Sequence, residues 1–372
     1  MYLTSLRRGT GLIWAPAFLL CVACALPATA DEPEGGGSVY VMTNQATGNT
    51  IVVFHRDANG SLTKVQEVST QGQGSGGSGD PLGSQGSLTL AEEGRVLLAA
   101  NAGSNEVSLL SVTPDGLQFV GKAPSGGTKP VSVAARDDVA YVLNAGGTPN
   151  VTALRIGASG QLTTIASVPL PGGANSGPAQ VGISPDGEVL VVTEKNTNQI
   201  DVFPIDDVQM AAGSSIPSDG ATPFGFVFGR QRSLIVTEAA ASTISSYAVG
   251  SEESHPTLQT ITKSLPDMGA ASCWIAIDRS RRLAFVVNSG TATISSLAVS
   301  PQGDLQLLVP AAANTGAGSA PIDLALTRNG GFLYVISAKH GTLTGFRVEN
   351  GTLGQVAFVS GLPLSIQGIA AR

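Results

Sequence analysis

Cysteine, histidine, aromatic and charged residues are all scarce in this chain. Only three cysteines occur in 372 residues, Cys21, Cys24 and Cys273. Two of them fall in the first thirty positions, so no disulfide framework can be drawn over the remainder. A chain of this length buries enough surface to do without one. There are three histidines, and no Cys/His set stands at metal-ligand spacing. Charged residues make up 13%, and no long basic run or patch is visible, which argues against nucleic-acid binding. No long stretch repeats its apolar residues every 3.6 positions between caps, so almost no helix is expected after the N-terminal segment. A GxSxG nucleophile turn and a phosphate-cradling glycine loop leading into a helix are also missing.

Glycine is plentiful, at 47 residues, which suits short strands joined by tight turns. The N-terminus reads as a targeting segment over residues 1–30. Arg7 and Arg8 give a basic start, Leu12 to Leu26 is largely apolar, and Ala28-Thr29-Ala30 is a small-residue cleavage site before Asp31. The apolar run is short for a membrane span. Cleavage near Ala30 is expected to release a secreted or periplasmic protein with 18 basic and 27 acidic residues, and with Cys273 and Trp274 as its single cysteine and tryptophan. Residues 31–38 read as a flexible linker and residues 39–372 as the folded domain.

One phrase recurs through that domain. It is seen in GPAQVGISPDGEVLVVTEKNTNQIDVF, residues 177–203, as an apolar strand, a Pro-Asp-Gly turn, a wholly apolar strand, a polar loop and a third strand. Its second strand appears seven times, ending at Asn44, Asn101, Asn144, Glu194, Glu238, Asn288 and Ser337. The intervals are 43 to 57 residues, the longest holding the Gly/Ser-rich insertion TQGQGSGGSGDPLGSQG, residues 70–86, read as a loop. Third strands follow each copy, and hairpins such as DANGSL, TPDGLQ and ENGTLG lead to fourth strands. Four strands per repeat of this length specify an all-β, seven-bladed β-propeller. The first copy lacks a preceding strand, and a surplus strand, LSIQGIAAR, stands at the C-terminus. That segment is expected to complete the first blade and close the ring.

Loops before each first strand and after each second strand share one face, where rigid scaffolds carry binding and chemistry. The residues gathered there are candidates. Glu194, Glu238 and Asp323 are candidate catalytic acids or bases. Phe224, Trp274, Gln180, Asn101, Asn144, Asn288 and His340 are candidate ligand contacts, with Lys195 and Lys339 in adjoining loops. Each also has a structural reading: a strand-ending Asn forms turns, an aromatic packs under the rim, and a loop His is solvated. His55 and His255 fall elsewhere, so no His cluster forms. No cofactor or metal is expected, although the two Glu and neighbouring Asn allow a further reading as an oxygen-only Ca²⁺ site.

Through ISPDGEVLVVTE, FLYVISAKHGTLTGFRVENGTL and the hairpin turns, the chain resembles the lactonase family of seven-bladed propellers. These are proteins similar to 6-phosphogluconolactonase and 3-carboxy-cis,cis-muconate lactonizing enzyme. The resemblance implies His and Arg at the inner-strand starts, with acidic residues nearby. Here Pro178-Ala179 stands at the fourth-blade Pro-His, Thr222-Pro223-Phe224-Gly225 at the fifth-blade Gly-Pro-Arg-His, and Trp274 at a sixth-blade Glu. Ser289 stands at the Arg after the sixth-blade Asn, and Glu238-Ala239 at the fifth-blade Asn-Glu. GSQGSL, TPFGFVF and SCWIAI look like phrases of an exported branch. Two functions follow as expectations. One is a hydrolase or cyclase acting on a lactone or sugar acid. The other is a non-catalytic propeller binding a glycan, another small molecule or a protein on its channel face. In either case a monomer is expected.

Overall fold

In a computed structural model, described over residues 36–250 and 256–372, the chain forms seven antiparallel sheets. The targeting segment expected over residues 1–30, residues 31–35 of the expected linker and His255 lie outside the described residues. Strand structure begins at Gly36 rather than Val39, because Gly36 to Ser38 already pair with His55 to Asp57. Three short 3₁₀ turns are the helical content of the described residues, and none of their helices is long and apolar enough to cross a membrane.

From the innermost strand outward, blade two comprises Leu88–Ala91, Val96–Asn101, Glu106–Thr113 and Gly116–Pro124. Blade three follows as Thr128–Arg136, Val139–Gly146, Asn150–Ile156 and Leu162–Pro169. Blade five comprises Pro223–Phe228, Ser233–Glu238, Thr243–Gly250 and Thr257–Pro266, and blade six Ser272–Ile277, Leu283–Asn288, Thr293–Val299 and Leu305–Asn314. Blade seven comprises Pro321–Leu326, Phe332–Ser337, Thr342–Glu349 and Thr352–Val359. Blade four has Pro178–Ile183, Val189–Glu194 and Gln199–Asp206, but its outer strand is split into Gln209–Met210 and Ser214–Pro217. The first piece closes a short hairpin, Asp206 pairing with Gln209, and the second pairs Ser214 to Pro217 with Val202 to Gln199.

Blade one is built from both ends of the chain. Ile369–Ala371 pairs antiparallel with Gly36–Met42, aligning Ile369 with Val41 and Ala371 with Val39, and Thr50–Asp57 and Leu62–Ser69 complete the sheet. The innermost strands touch in sequence around the ring, and the C-terminal strand meets those of both blade seven and blade two.

The second strands are apolar throughout because blades cover both their faces. Val189 and Val191 of blade four pack on Phe226, Leu234 and Tyr247 of blade five. Ile235 of blade five packs on Ile275 and Val286 of blade six. Each large side chain buried this way contributes roughly 1.5–3 kcal/mol. Outer strands alternate half-buried and exposed residues, as in Leu162–Pro169.

The inner strand of blade two is the exception that matters for function. It starts at Leu88, not near Gln85, because residues 84–86 leave the blade and enter the central channel. In blades three to seven the inner strands bulge near their starts, between Pro130 and Ser132, Pro178 and Gln180, Pro223 and Phe226, Ser272 and Trp274, and Ile322 and Leu324. A bulge takes residues out of the ladder and re-aims them.

Candidate functional site

The strand-ending polar residues are internal clamps. Asn101, Asn144, Glu194, Glu238 and Asn288 are wholly buried. Glu238 Oε1 accepts from Gly220 N at 2.7 Å and from Ser245 Oγ at 2.7 Å, while Oε2 accepts from Thr243 Oγ1 at 2.5 Å. Glu194 accepts from Gly172 N and Thr197 Oγ1 in the same way. Asn101 donates to Ser108 Oγ and accepts from Thr70 Oγ1, Asn144 donates to Ser125 O, and Asn288 donates to Ser295 Oγ. Each clamp fastens the loop entering a blade, and that loop approaches so closely that a Cβ on Gly220 would lie 2.2 Å from Glu238 Oε2. The expectation that these residues meet a ligand or act as catalytic bases is corrected: they are buried and spend their hydrogen bonds on their own blades and incoming loops, away from the channel mouth. The Ca²⁺ reading falls with it, since the two carboxylates already receive N–H and O–H donors in separate blades.

Gln180 is a stitch between blades, its amide donating to Phe226 O and accepting from Phe226 N. His340 is exposed in a loop of blade seven, and nothing brings it to the other candidates. Phe224 and Trp274 do come together, ring centroids 4.9 Å apart and edge-on. Yet Trp274 is 1% exposed and Phe224 4%, so the expectation that they stand open as ligand contacts on the channel face is corrected as well.

What covers them is the insertion. Its first half is tied to blade one, Asn44 exchanging two hydrogen bonds with Ser75. Asp80 Oδ1 then accepts from Gly83 N in a tight turn, and residues 83–85 cross the channel. Ser84 O accepts from Trp274 Nε1 at 2.9 Å and from Gln367 Nε2 at 3.0 Å. Ser84 Oγ donates to Val131 O at 2.8 Å, and Gln85 N donates to Ala179 O at 3.1 Å. The Gln85 amide donates to Ile275 O at 2.6 Å and accepts from Ile275 N at 3.1 Å. Leu82 is buried among core side chains, and Lys195 Nζ donates to Gly83 O. The segment thus bonds to blades one, three, four and six. Blade five contributes a gap: a Cβ on Gly225 would lie 2.2 Å from Gln85 Oε1, so glycine alone makes room for that amide.

Around this cap stand three groups whose titration is perturbed. Lys195 Nζ also donates to Pro178 O at 3.2 Å and lies 5.2 Å from the Phe224 ring centroid. Burial, joined by the like charge of Lys129 and opposed by Asp80, pulls its ammonium down to about 8. Asp323 has a left-handed φ of 53° at the bulge of blade seven. Its Oδ1 accepts from Leu324 N at 2.9 Å, while Oδ2 is buried without a hydrogen-bond partner. Burial pushes its carboxyl up to about 7 against the pull of the Leu324 and Ile369 amides. Burial likewise pushes the Cys273 thiol up to about 12, leaving it inert while covered. Lys195 was placed by sequence in a loop adjoining the candidates; the residues of the cap were the ones sequence reasoning missed. The available signal was a lone Leu, Leu82, inside an otherwise polar and Gly/Ser-rich insertion.

A carboxyl kept neutral by the fold binds its proton more tightly than in the unfolded chain. Its contribution to stability is complete below the ordinary carboxylate range and is lost as pH rises through the folded value. Asp323 acts in this direction. So does Asp201 on the third strand of blade four, whose carboxyl is raised by burial and by neighbouring Glu194. The thermal midpoint is expected to fall from about pH 5 to about pH 8. Asp323→Asn should raise the midpoint at the upper end and flatten part of the slope. A midpoint independent of pH across that window, in wild type and variant alike, would show that neither carboxyl is held neutral.

A cavity of about 1000 Å³ lies on the opposite face between blades three and four, lined by residues including Arg136, Tyr141, Asp186 and Glu188. Arg232 pairs with both Asp186 and Glu188, and Arg155 with Asp138. Among the residues lining it none is a buried, unpaired acid or base such as Asp323.

A family profile described as "Lactonase, 7-bladed beta-propeller" matches residues 34–174 and 134–267, together more than half of the chain. A sequence search of curated proteins finds no match. Among solved structures, the periplasmic gluconolactonase of Pseudomonas aeruginosa is 18% identical with a TM-score of 0.71, covering 90% of this chain and 99% of its own. A provisionally assigned 6-phosphogluconolactonase of Bacteroides uniformis is 15% identical with a TM-score of 0.70, covering 90% and 99%. Virginiamycin B lyase of Staphylococcus aureus is more distant, 16% identical with a TM-score of 0.52, covering 73% and 83%.

Proposed function

The chain belongs to the lactonase family of seven-bladed β-propellers, and we propose that it hydrolyses a lactone or related cyclic ester of a sugar acid at the channel mouth. The observation that carries this reading is Asp323, a buried carboxylate at a strained bulge with one oxygen free of hydrogen bonds. A base of pKa about 7 is matched to proton transfer near neutrality. Asp323 takes the proton of a water that attacks the ester carbonyl. Lys195, in place of the family's His and Arg, stabilises the oxyanion. As the ring C–O bond breaks, the proton passes to the leaving alkoxide, giving the hydroxy acid. Trp274 and Phe224 floor the space against which an apolar sugar face lies. The gluconolactonase and 6-phosphogluconolactonase assignments of its structural neighbours support the reaction class. The targeting segment read at residues 1–30 supports work outside the cytoplasm.

The expected pH–rate profile is a bell, rising as Asp323 ionises above the ordinary carboxylate range and falling as Lys195 loses its proton below the ordinary ammonium range. Lys195→Met and Asp323→Asn should each lower kcat on the order of 10²-fold or more, read by pH-stat over a lactone panel. Asp323→Asn should do so while gaining stability at the upper end of the pH window. The non-catalytic reading is favoured by one observation, the filling of the mouth by the cap. If wild type and a cap-free variant both leave every lactone at the buffer rate, that reading replaces hydrolysis.

A further inference from the structure

Everything assigned to catalysis above lies beneath or beside a segment of the same chain. We propose that residues 76–85 are an intramolecular inhibitor of the channel mouth, a cap that must be released before a substrate reaches Asp323, Lys195 and Trp274. The inference concerns regulation of the proposed site and rests on that reading for its consequence in turnover, though not for the physical gate.

Three features make the segment an occupant and not a passing loop. Its polar contacts reach across the channel: Ser84 O is held by an indole N–H and a carboxamide, and the Gln85 amide pairs in both directions with Ile275 of blade six, where the like pairing of Gln180 joins only neighbouring blades. Its partners lie on different blades around the mouth, which local chain folding does not require. Its length is also out of scale. Eighteen residues join Ser69 to Leu88, against eight between Pro169 and Pro178 and five between Pro217 and Pro223.

The segment is built to leave. It is fastened at its C-terminal end, by the buried Leu82 and by residues 83–85, and at its start by Gly76 N, which donates to Asn44 O, whereas residues 77 and 78 between them are exposed. A Cβ on Gly79 would meet nothing within 4 Å, and Gly76, Gly77, Gly79 and Gly83 all have left-handed φ. Glycines of this kind supply hinges at low steric cost. Lys195 is the latch: its bond to Gly83 O occupies one of three ammonium protons. Cap release would free that proton to face an oxyanion, so opening would both admit substrate and arm the cation.

The gate is tested by the reactivity of Cys273 toward a maleimide in the full chain, with Cys273→Ser setting the background from other thiols. Two variants open it: deletion of residues 76–85, which leaves an eight-residue connection, and Gln85→Ala, which removes only the two-way amide contact. Circular dichroism identifies variants that remain folded. Labelling of Cys273 at least about tenfold faster in both, with faster lactone turnover, is the expected result. Faster labelling with no turnover in any variant would uphold the gate and sink the hydrolase reading. Faster labelling with turnover equal to wild type would overturn inhibition while leaving hydrolysis in place. Unchanged labelling in folded Gln85→Ala and in the deletion variant would overturn the cap itself.

Discussion

Deletion of Leu364 to Arg372 is expected to abolish a monomeric, cooperatively folding protein. The segment supplies the innermost strand of blade one, where Ile369 and Ala371 pair with Val41 and Val39. Further bonds run from Met42 N to Gly368 O, Gln367 N to Met42 O, Arg372 N to Ser38 O and Ser365 Oγ to Thr43 O. Ile366 and Ile369 are buried in the cluster shared by blades one and seven. Two such isoleucines contribute roughly 3–6 kcal/mol, and about six hydrogen bonds near 1 kcal/mol each add a similar amount. A loss on the order of 10 kcal/mol equals the whole stability of an ordinary domain. The exposed edge of Gly36–Met42 would also template association with other chains. Size-exclusion chromatography of the truncated chain should show aggregate. A monomer with the wild-type unfolding midpoint would mean that the ring closes without this strand.

Replacing Trp274 by alanine carries the second large effect. The side chain is among the largest fully buried ones, and its ring meets Phe224 edge-on while its N–H holds Ser84 O. A truncation of this size in a packed site costs about 3–5 kcal/mol. It should lower the thermal midpoint on the order of 10 °C or less, given the shallow response of large domains. Trp274→Phe keeps most of the volume and loses chiefly the hydrogen bond, near 1 kcal/mol. Alanine should therefore be several times more damaging than phenylalanine. Equal and small effects would place the indole outside the packed interior.

The architecture was legible because propeller blades repeat. Seven apolar second strands, their turns and the surplus terminal strand need only period and burial to be read. Sequence position also put Phe224 and Trp274 on one face, since neighbouring blades share phase. It misjudged exposure. Glu194, Glu238 and the asparagines mark one structural place in each blade, and their fixed position reflects the clamp each makes with an incoming loop. The cap was not legible for a different reason. A Gly/Ser-rich insertion reads as solvent-facing loop, and nothing in its composition reveals that Gln85 reaches Ile275, 190 residues further along the chain. Gly225 held the complementary clue, since the side chain it lacks leaves the room that Gln85 fills, but that meaning exists only once both are placed.

The position of Trp274 beneath the cap is tested most directly by its fluorescence, taken as the difference between wild type and Trp274→Phe so that Trp14 does not contribute. A filled channel mouth predicts blue-shifted emission that acrylamide barely quenches, becoming red-shifted and quenchable once residues 76–85 are deleted. Emission in the wild-type protein that is already red-shifted and freely quenched would contradict it, and would put the mouth of the propeller open to solvent.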